Sequence, residues 1–272
     1  MTKKLLFPTD FTDHSIKALE EALILNRKLN YHVTIFHAFS RPFMENKSGF
    51  KESLGLKQLE ERIDKHFARL EKNLPELSKH EYSIVKKLGS TVELIPEYVR
   101  THDISLIIMN TKGAVGVGEL WGTKTAKIIK MVEIPVVVVP TGTKLSDCSE
   151  LGLACDFSDE TEYEKVEFLL ELASKCDIPI DIITLNRHEK TMTDEELKNR
   201  DKLLDMVKHV KSKISYRESN SVKKGLMDYC KANEIGLLGI LPKSYNFIER
   251  VFHESLTTRM TFNSPIPVVV LK

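Results

Sequence analysis

Apolar residues recur along the chain in two rhythms: short unbroken runs closed by turns, and longer stretches at helical spacing. Lys4 to Thr9 is a short run ending in a turn and predicts a buried strand. Asp10 to Asn30 carries Ile16, Leu19, Ala22, Leu23 and Leu29 at helical spacing. His32 to Phe39 reads as a β-branched strand. Lys51 to Leu74 predicts a long helix with Leu56, Leu59, Ile63, Phe67, Leu70 and Leu74 on one face. Tyr82 to Leu88 reads as a strand, Thr91 to Thr101 as a helix, and Ile104 to Met109 as a strand buried on both sides. Gly122 to Val132 is a helix and Pro135 to Val139 a closing strand. This β-α-β-α-β-α-β-α-β order is that of a parallel sheet covered on both faces.

The pattern then repeats. Pro8-Thr9-Asp10-Phe11-Thr12-Asp13 returns as Ala154-Cys155-Asp156-Phe157-Ser158-Asp159, 146 positions on. Ile134-Pro135-Val136-Val137-Val138 returns as Ile266-Pro267-Val268-Val269-Val270, 132 positions on, so the second copy is 14 residues shorter. The boundary falls in the polar loop Pro140-Thr141-Gly142-Thr143-Lys144, giving domains 1–142 and 147–272. The second copy follows the same order from Leu151 to Leu271, with a shorter second helix near Asp194 to Val210. The fold class expected is α/β: two tandem, doubly wound, five-stranded parallel sheets of strand order 3-2-1-4-5. In that order the fifth strand is an edge, yet Val136 to Val139 and Val268 to Leu271 are strongly apolar. A bare apolar edge invites pairing. The two copies are therefore expected to pack through these strands as an internal pseudo-dimer.

Composition narrows the function classes. Of 272 residues, 42% are apolar, and 40 basic residues nearly cancel 39 acidic ones to leave +1. That balance argues against a dedicated nucleic-acid binder or a polybasic membrane protein. After Lys3-Lys4 the apolar stretch is only Leu5-Leu6-Phe7, too short for a secretory signal. No stretch approaches the roughly 18 apolar residues of a membrane span. Cys148, Cys155, Cys176 and Cys230 form no C-x-x-C pair and read as free cytosolic thiols. Together these features predict a cytoplasmic protein.

An open parallel sheet binds ligands where its strand order reverses, beyond the carboxyl ends of the strands. The loops after the first and fourth strands flank that crevice. In the first, Asp10 can accept hydrogen bonds from a ribose or an amide, while Thr12 or Asp10 can equally cap the following helix. Asp10, Asp13 and His14 lie too close together on a turning segment to make a metal site. The second loop, Asn110 to Thr125, holds four of the chain's 12 glycines between a buried strand and a helix. Glycines bring backbone N–H groups close to an anion, and the helix start adds free N–H groups and partial positive charge. Thr123, Lys124 and Thr125 add hydroxyls and a cation. The loop resembles a triphosphate cradle; a flexible loop before a Thr-capped helix is the other reading. Neither a P-loop nor a G-x-G-x-x-G dinucleotide fingerprint fits.

These residues resemble the universal stress protein family in its tandem, Rossmann-like form. The resemblance rests on Asp10 and Asp156 after the first strands, the glycine loop after the fourth strand, and the closing Ile-Pro-Val-Val-Val strands. ATP-binding members carry G-x2-G-x9-G-[ST]. Here the match is Asn110-x2-Gly113-x8-Gly122-Thr123, with Asn for the first Gly and one residue fewer in the second spacing. Gly116 and Gly118 can offset the shortening. The resemblance implies ATP with Mg²⁺, and slow or no hydrolysis, with no catalytic residues and no protein metal site. It places Asp10 at the ribose–adenine region, Pro8-Thr9 as its wall, and Ala38 against the adenine. Gly113 and Gly116 belong to the phosphate loop, and Gly122, Thr123, Lys124 and Thr125 to the β/γ end.

The second copy departs from this pattern. Asn110, Gly113 and Gly122 correspond to Pro242, Tyr245 and Glu254, while Thr123 and Thr125 match Ser255 and Thr257. Loss of glycine blocks backbone approach, and Glu254 would set negative charge against phosphate. Asp156 then reads as a helix cap. Lys243, Arg250 and His253 remain as attractors of another anion. Three functions stay open. One is a regulator that binds an adenine nucleotide in its first half and changes its contacts with an unknown protein partner. The second is a nucleotide-free stress-related scaffold, and the third an enzyme of the wider adenine-nucleotide α/β group. No nucleic-acid or membrane partner is expected, and a homodimer is compatible with the sequence.

Overall fold

The computed structural model describes residues 2–40, 43–45, 51–53, 55–111, 123–186, 188–241 and 266–272. The chain forms two compact units, Met1–Ile108 with Thr123–Val132, and Met109–Gly122 with Glu133–Lys272.

The first unit contains β1 (Lys4–Pro8), α1 (Asp13–Leu29), β2 (His32–Phe39), β3 (Phe43–Glu45), β4 (Lys51–Ser53), α2 (Leu56–Asn73), β5 (Tyr82–Leu88), α3 (Thr91–Thr101), most of β6 (Leu106–Thr111, which passes into the second unit at Met109) and α4 (Thr123–Met131). Its strands lie in the order β5-β2-β1-β6, all parallel. This is 3-2-1-4 in the numbering of the repeat. The middles of the central strands are mostly apolar: Leu5, Leu6, Phe7, Val33, Ile35, Leu106 and Ile107 are fully buried. Burying each stabilises the fold by roughly 2 kcal/mol.

Helix α1 forms where its signals say it should. Thr12 caps it by accepting the Ser15 N–H, Asp13 lies in the first turn, and Arg27 and Lys28 lie in the last. Asn30 stops it in a left-handed conformation, φ 56°, with its N–H on the Asn26 carbonyl. The second helix begins later than its apolar face suggested. Lys51–Ser53 pairs antiparallel with Phe43–Glu45, and the helix starts only after Gly55, whose backbone is extended at ψ 141°. Of the expected apolar stripe, Ile63, Phe67, Leu70 and Leu74 are buried, while Leu56 stays exposed.

The second unit contains β7 (Val136–Pro140), β8 (Leu151–Ala154), a 3-10 segment (Glu160–Val166) leading into α5 (Glu167–Cys176), β9 (Ile180–Leu185), α6 (Asp194–Val207), β10 (Ser212–Arg217), α7 (Val222–Ala232), β11 (Leu237–Ile240) and β12 (Val268–Val270). Strands β10-β9-β8-β11-β12 are parallel, again 3-2-1-4-5. The two repeated closing strands pair with each other: β7 lies antiparallel to β12, Val137 opposite Val269. Packing in this unit leaves little room for a side chain at Gly152. A Cβ on Gly152 would stand 3.0 Å from both Ile235 and Leu238.

Candidate functional site

The turn after β1 is built from its own polar side chains. The Thr9 N–H extends the β ladder to the Phe36 carbonyl at 2.9 Å. Buried Thr9 uses its hydroxyl oxygen to accept the Phe11 N–H at 3.1 Å and the Ser15 hydroxyl at 3.0 Å. Exposed Asp10 accepts the Thr12 N–H at 3.1 Å and the Thr12 hydroxyl at 2.6 Å, both on Oδ1. Its Oδ2 has no hydrogen-bond partner among the described residues. Phe11 takes a left-handed backbone, φ 60°, which a bulky residue adopts only when its surroundings hold it there. Thr12 and Asp10 thus share the capping work between them.

What holds Phe11 is a group of rings that sequence spacing could not gather. Its ring centroid lies 4.6 Å from His37, 5.2 Å from His66 and 4.8 Å from Phe67. His37 sits near the end of β2, beside half-buried Ala38, and its Nδ1 is 2.8 Å from the Thr9 carbonyl. A carbonyl oxygen only accepts, so Nδ1 carries the proton. Burial pushes the His37 pKa down; the Thr9 bond and Asp10 push it up by less, and His66 pushes it down.

At the end of β6, half-buried Asn110 and buried Thr111 stand where the glycine loop begins. Asn110 Nδ2 and Thr111 Oγ1 are both buried with no hydrogen-bond partner among the described residues. Thr111, which sequence reasoning passed over, offers its carbonyl to the N–H and the hydroxyl of Thr141, each at 3.0 Å. Gly113, Gly116 and Gly122 lie outside the described residues. After the loop Thr123 opens α4, with Lys124 exposed and Thr125 buried.

The second unit repeats the first turn with different filling. Asp156 accepts the Ser158 N–H at 3.1 Å, and Phe157 is left-handed at φ 59°. Phe157 is fully buried, its N–H points to Cys155 Sγ at 3.4 Å, and its carbonyl accepts the buried Asn199 amide at 3.0 Å. Tyr163, fully buried, sets its hydroxyl against Cys155; burial first, then the Cys155 thiol, pushes the phenol pKa up. Asp156 is not the helix cap the sequence suggested. The segment after it is 3-10, and α5 begins only at Glu167, without a side-chain cap. Pro242, Lys243, Tyr245, Arg250, His253, Glu254, Ser255 and Thr257 lie outside the described residues.

Comparison with known proteins decides the family. The sequence model of the universal stress protein family matches residues 1–140. The chain belongs to the universal stress protein family. A universal stress protein from Archaeoglobus fulgidus superposes on it with a TM-score of 0.67 at 15% identity, covering 99% of this chain and 96% of that one. A protein described as a putative universal stress protein from Pseudomonas aeruginosa does so with a TM-score of 0.65 at 12% identity, covering 100% and 93%. Both likenesses are of fold. Among curated proteins, none matches the sequence. This universal stress protein has the expected α/β fold in two copies. Among its described residues no three His, Cys, Asp or Glu side chains gather to hold a metal, and no helix is long and apolar enough to cross a membrane.

Proposed function

We propose that the first copy binds an adenine nucleotide, ATP with Mg²⁺, beyond the carboxyl ends of β1 and β6, and that the protein is a nucleotide-responsive regulator of the stress response. The observation that carries this reading is the pair of buried, unpartnered polar atoms, Asn110 Nδ2 and Thr111 Oγ1, where the glycine loop begins. An unsatisfied buried donor costs about 1–3 kcal/mol, and a ligand acceptor would remove that cost. Three further features support it: the free Oδ2 of Asp10, the adjacency of β1 and β6, and the Thr123-Lys124-Thr125 start of α4. The family expectation adds Pro8, Thr9 and Ala38 as the base and ribose wall, and Gly113, Gly116 and Gly122 as the phosphate loop.

In this reading the second copy binds no nucleotide, because Tyr163 and Phe157 fill its turn. The protein works in the cytoplasm, turns ATP over slowly or not at all, and presents a changed surface to a protein partner. The antiparallel pairing of β7 with β12 supports an internal pseudo-dimer of the two copies. Titration with ATP and Mg²⁺ tests the reading. Saturable binding is expected, abolished by Gly122→Glu, weakened by Thr111→Val and unchanged by Glu254→Gln. No binding at millimolar ATP, weaker than about −4 kcal/mol, would overturn it in favour of a nucleotide-free scaffold.

A further inference from the structure

His37 adds a side-chain tie between the end of β2 and the turn after β1, beyond the ladder bond from the Thr9 N–H to the Phe36 carbonyl. Its Nδ1–H donates to the Thr9 carbonyl at 2.8 Å, one residue before Asp10. Its ring packs against Phe11, the left-handed residue just after Asp10, with centroids 4.6 Å apart. The end of β2 therefore grips the turn on both sides of Asp10. The second copy has no such grip. Register pairs Pro8 with Phe36 and Ala154 with Ile183, so the position of His37 is taken by Thr184. Thr184 is buried and its hydroxyl has no partner among the described residues.

We propose that His37 is a positioning residue: with its Nδ1–H on the Thr9 carbonyl and its ring against Phe11, it fixes the Asp10 turn and thereby sets the nucleotide affinity of the first copy. The affinity clause rests on the nucleotide-binding reading above; the grip on the turn does not. Titratable groups flank the ring. Asp10 faces it from the turn and His66 from α2. Lys86, its register neighbour on β5, is held by Asp64 at 2.5 Å. Burial and His66 oppose charging the ring, while the Thr9 bond and Asp10 favour it. A proton added at Nε2 leaves the Nδ1–H donor on the Thr9 carbonyl in place, so the grip does not require a neutral ring.

The test uses the full chain without ligand first. Nitrogen NMR of the wild type above about pH 7 should show His37 protonated at Nδ1 only. Hydrogen-exchange protection of the Phe11 and Thr12 amides should fall about tenfold in His37→Phe, which keeps a ring but has no donor. His37→Asn, whose amide places a donor where Nδ1 stood, should keep that protection. Binding of ATP with Mg²⁺ should follow the same order. A His37 protonated only at Nε2, or unchanged protection in His37→Phe, overturns the proposal. If protection follows the expected order but wild type binds no ATP, the positioning role stands and the nucleotide reading fails.

Discussion

Asp10-Phe11-Thr12 and Asp156-Phe157-Ser158 bend the chain in the same way. In each, the carboxylate accepts an N–H two residues on, and the phenylalanine is left-handed at φ 60° or 59°. Their surroundings differ. Phe11 is half exposed among His37, His66 and Phe67, and a capped helix starts two residues later. Phe157 is fully buried with its carbonyl on the Asn199 amide, and no α-helix begins for another nine residues. A shared local code thus fixes the bend, and tertiary packing decides whether the bend stays open to a ligand. A second position shows the same divergence. Thr34 meets the Tyr98 hydroxyl in the first copy; its counterpart, Asp181, accepts the Tyr229 hydroxyl at 2.6 Å in a fully buried setting.

The comparison breaks most visibly at the phenylalanines. Phe157→Ala should cost about 3–4 kcal/mol in urea unfolding, and Phe11→Ala less than about 2 kcal/mol, because only Phe157 leaves a closed cavity. Equal losses would mean that the two turns are equally filled. Asp181→Ala should cost about 1–3 kcal/mol by leaving the Tyr229 hydroxyl only the neutral Ser215 hydroxyl as a partner and removing the carboxylate beside Lys213. Asp181→Thr, which installs the first copy's residue, should stay within about 1 kcal/mol of wild type.

Acid separates the units next. The Glu76 carboxyl is held down to about 2, first by its bonds to Arg27 and then by Lys79, against the upward push of burial. Glu76 thus contributes stability that is present above its ordinary value of 4.5 and lost as pH falls toward about 2. Glu76→Gln should flatten this acid limb. Asp205→Asn should barely move it, since the exposed Lys208 pair that lowers Asp205 is screened by water. Smallest of all, Thr12→Ala should cost about 1 kcal/mol as a lost cap, and Ser158→Ala less than about 0.5 kcal/mol.

Much of the fold was legible because parallel strands buried on both faces write themselves as unbroken apolar runs, and Lys4–Pro8, Leu106–Thr111 and Val136–Pro140 did so. The duplicated Asp-Phe motif also read true, since its turn is made by neighbours in sequence. The hairpin at Phe43–Glu45 and Lys51–Ser53 was not legible: its second strand is polar and abuts an amphipathic helix, so the helical period ran through it. Nor was the ring cluster, because His37, His66 and Phe67 reach Phe11 only when β2 and α2 pack beside the turn. The unpartnered hydroxyl of Thr111 likewise emerges only from burial.

The central claim is that one copy of the repeat takes nucleotide and the other has filled its own turn. Counting ATP per chain by native mass spectrometry, in wild type and in Asp10→Ala and Asp156→Ala, tests it most directly. Each variant removes the carboxylate that accepts the N–H two residues on. The account predicts one ATP per chain in wild type and in Asp156→Ala, and none in Asp10→Ala. Two ATP per chain in wild type, or equal loss in both variants, would contradict it.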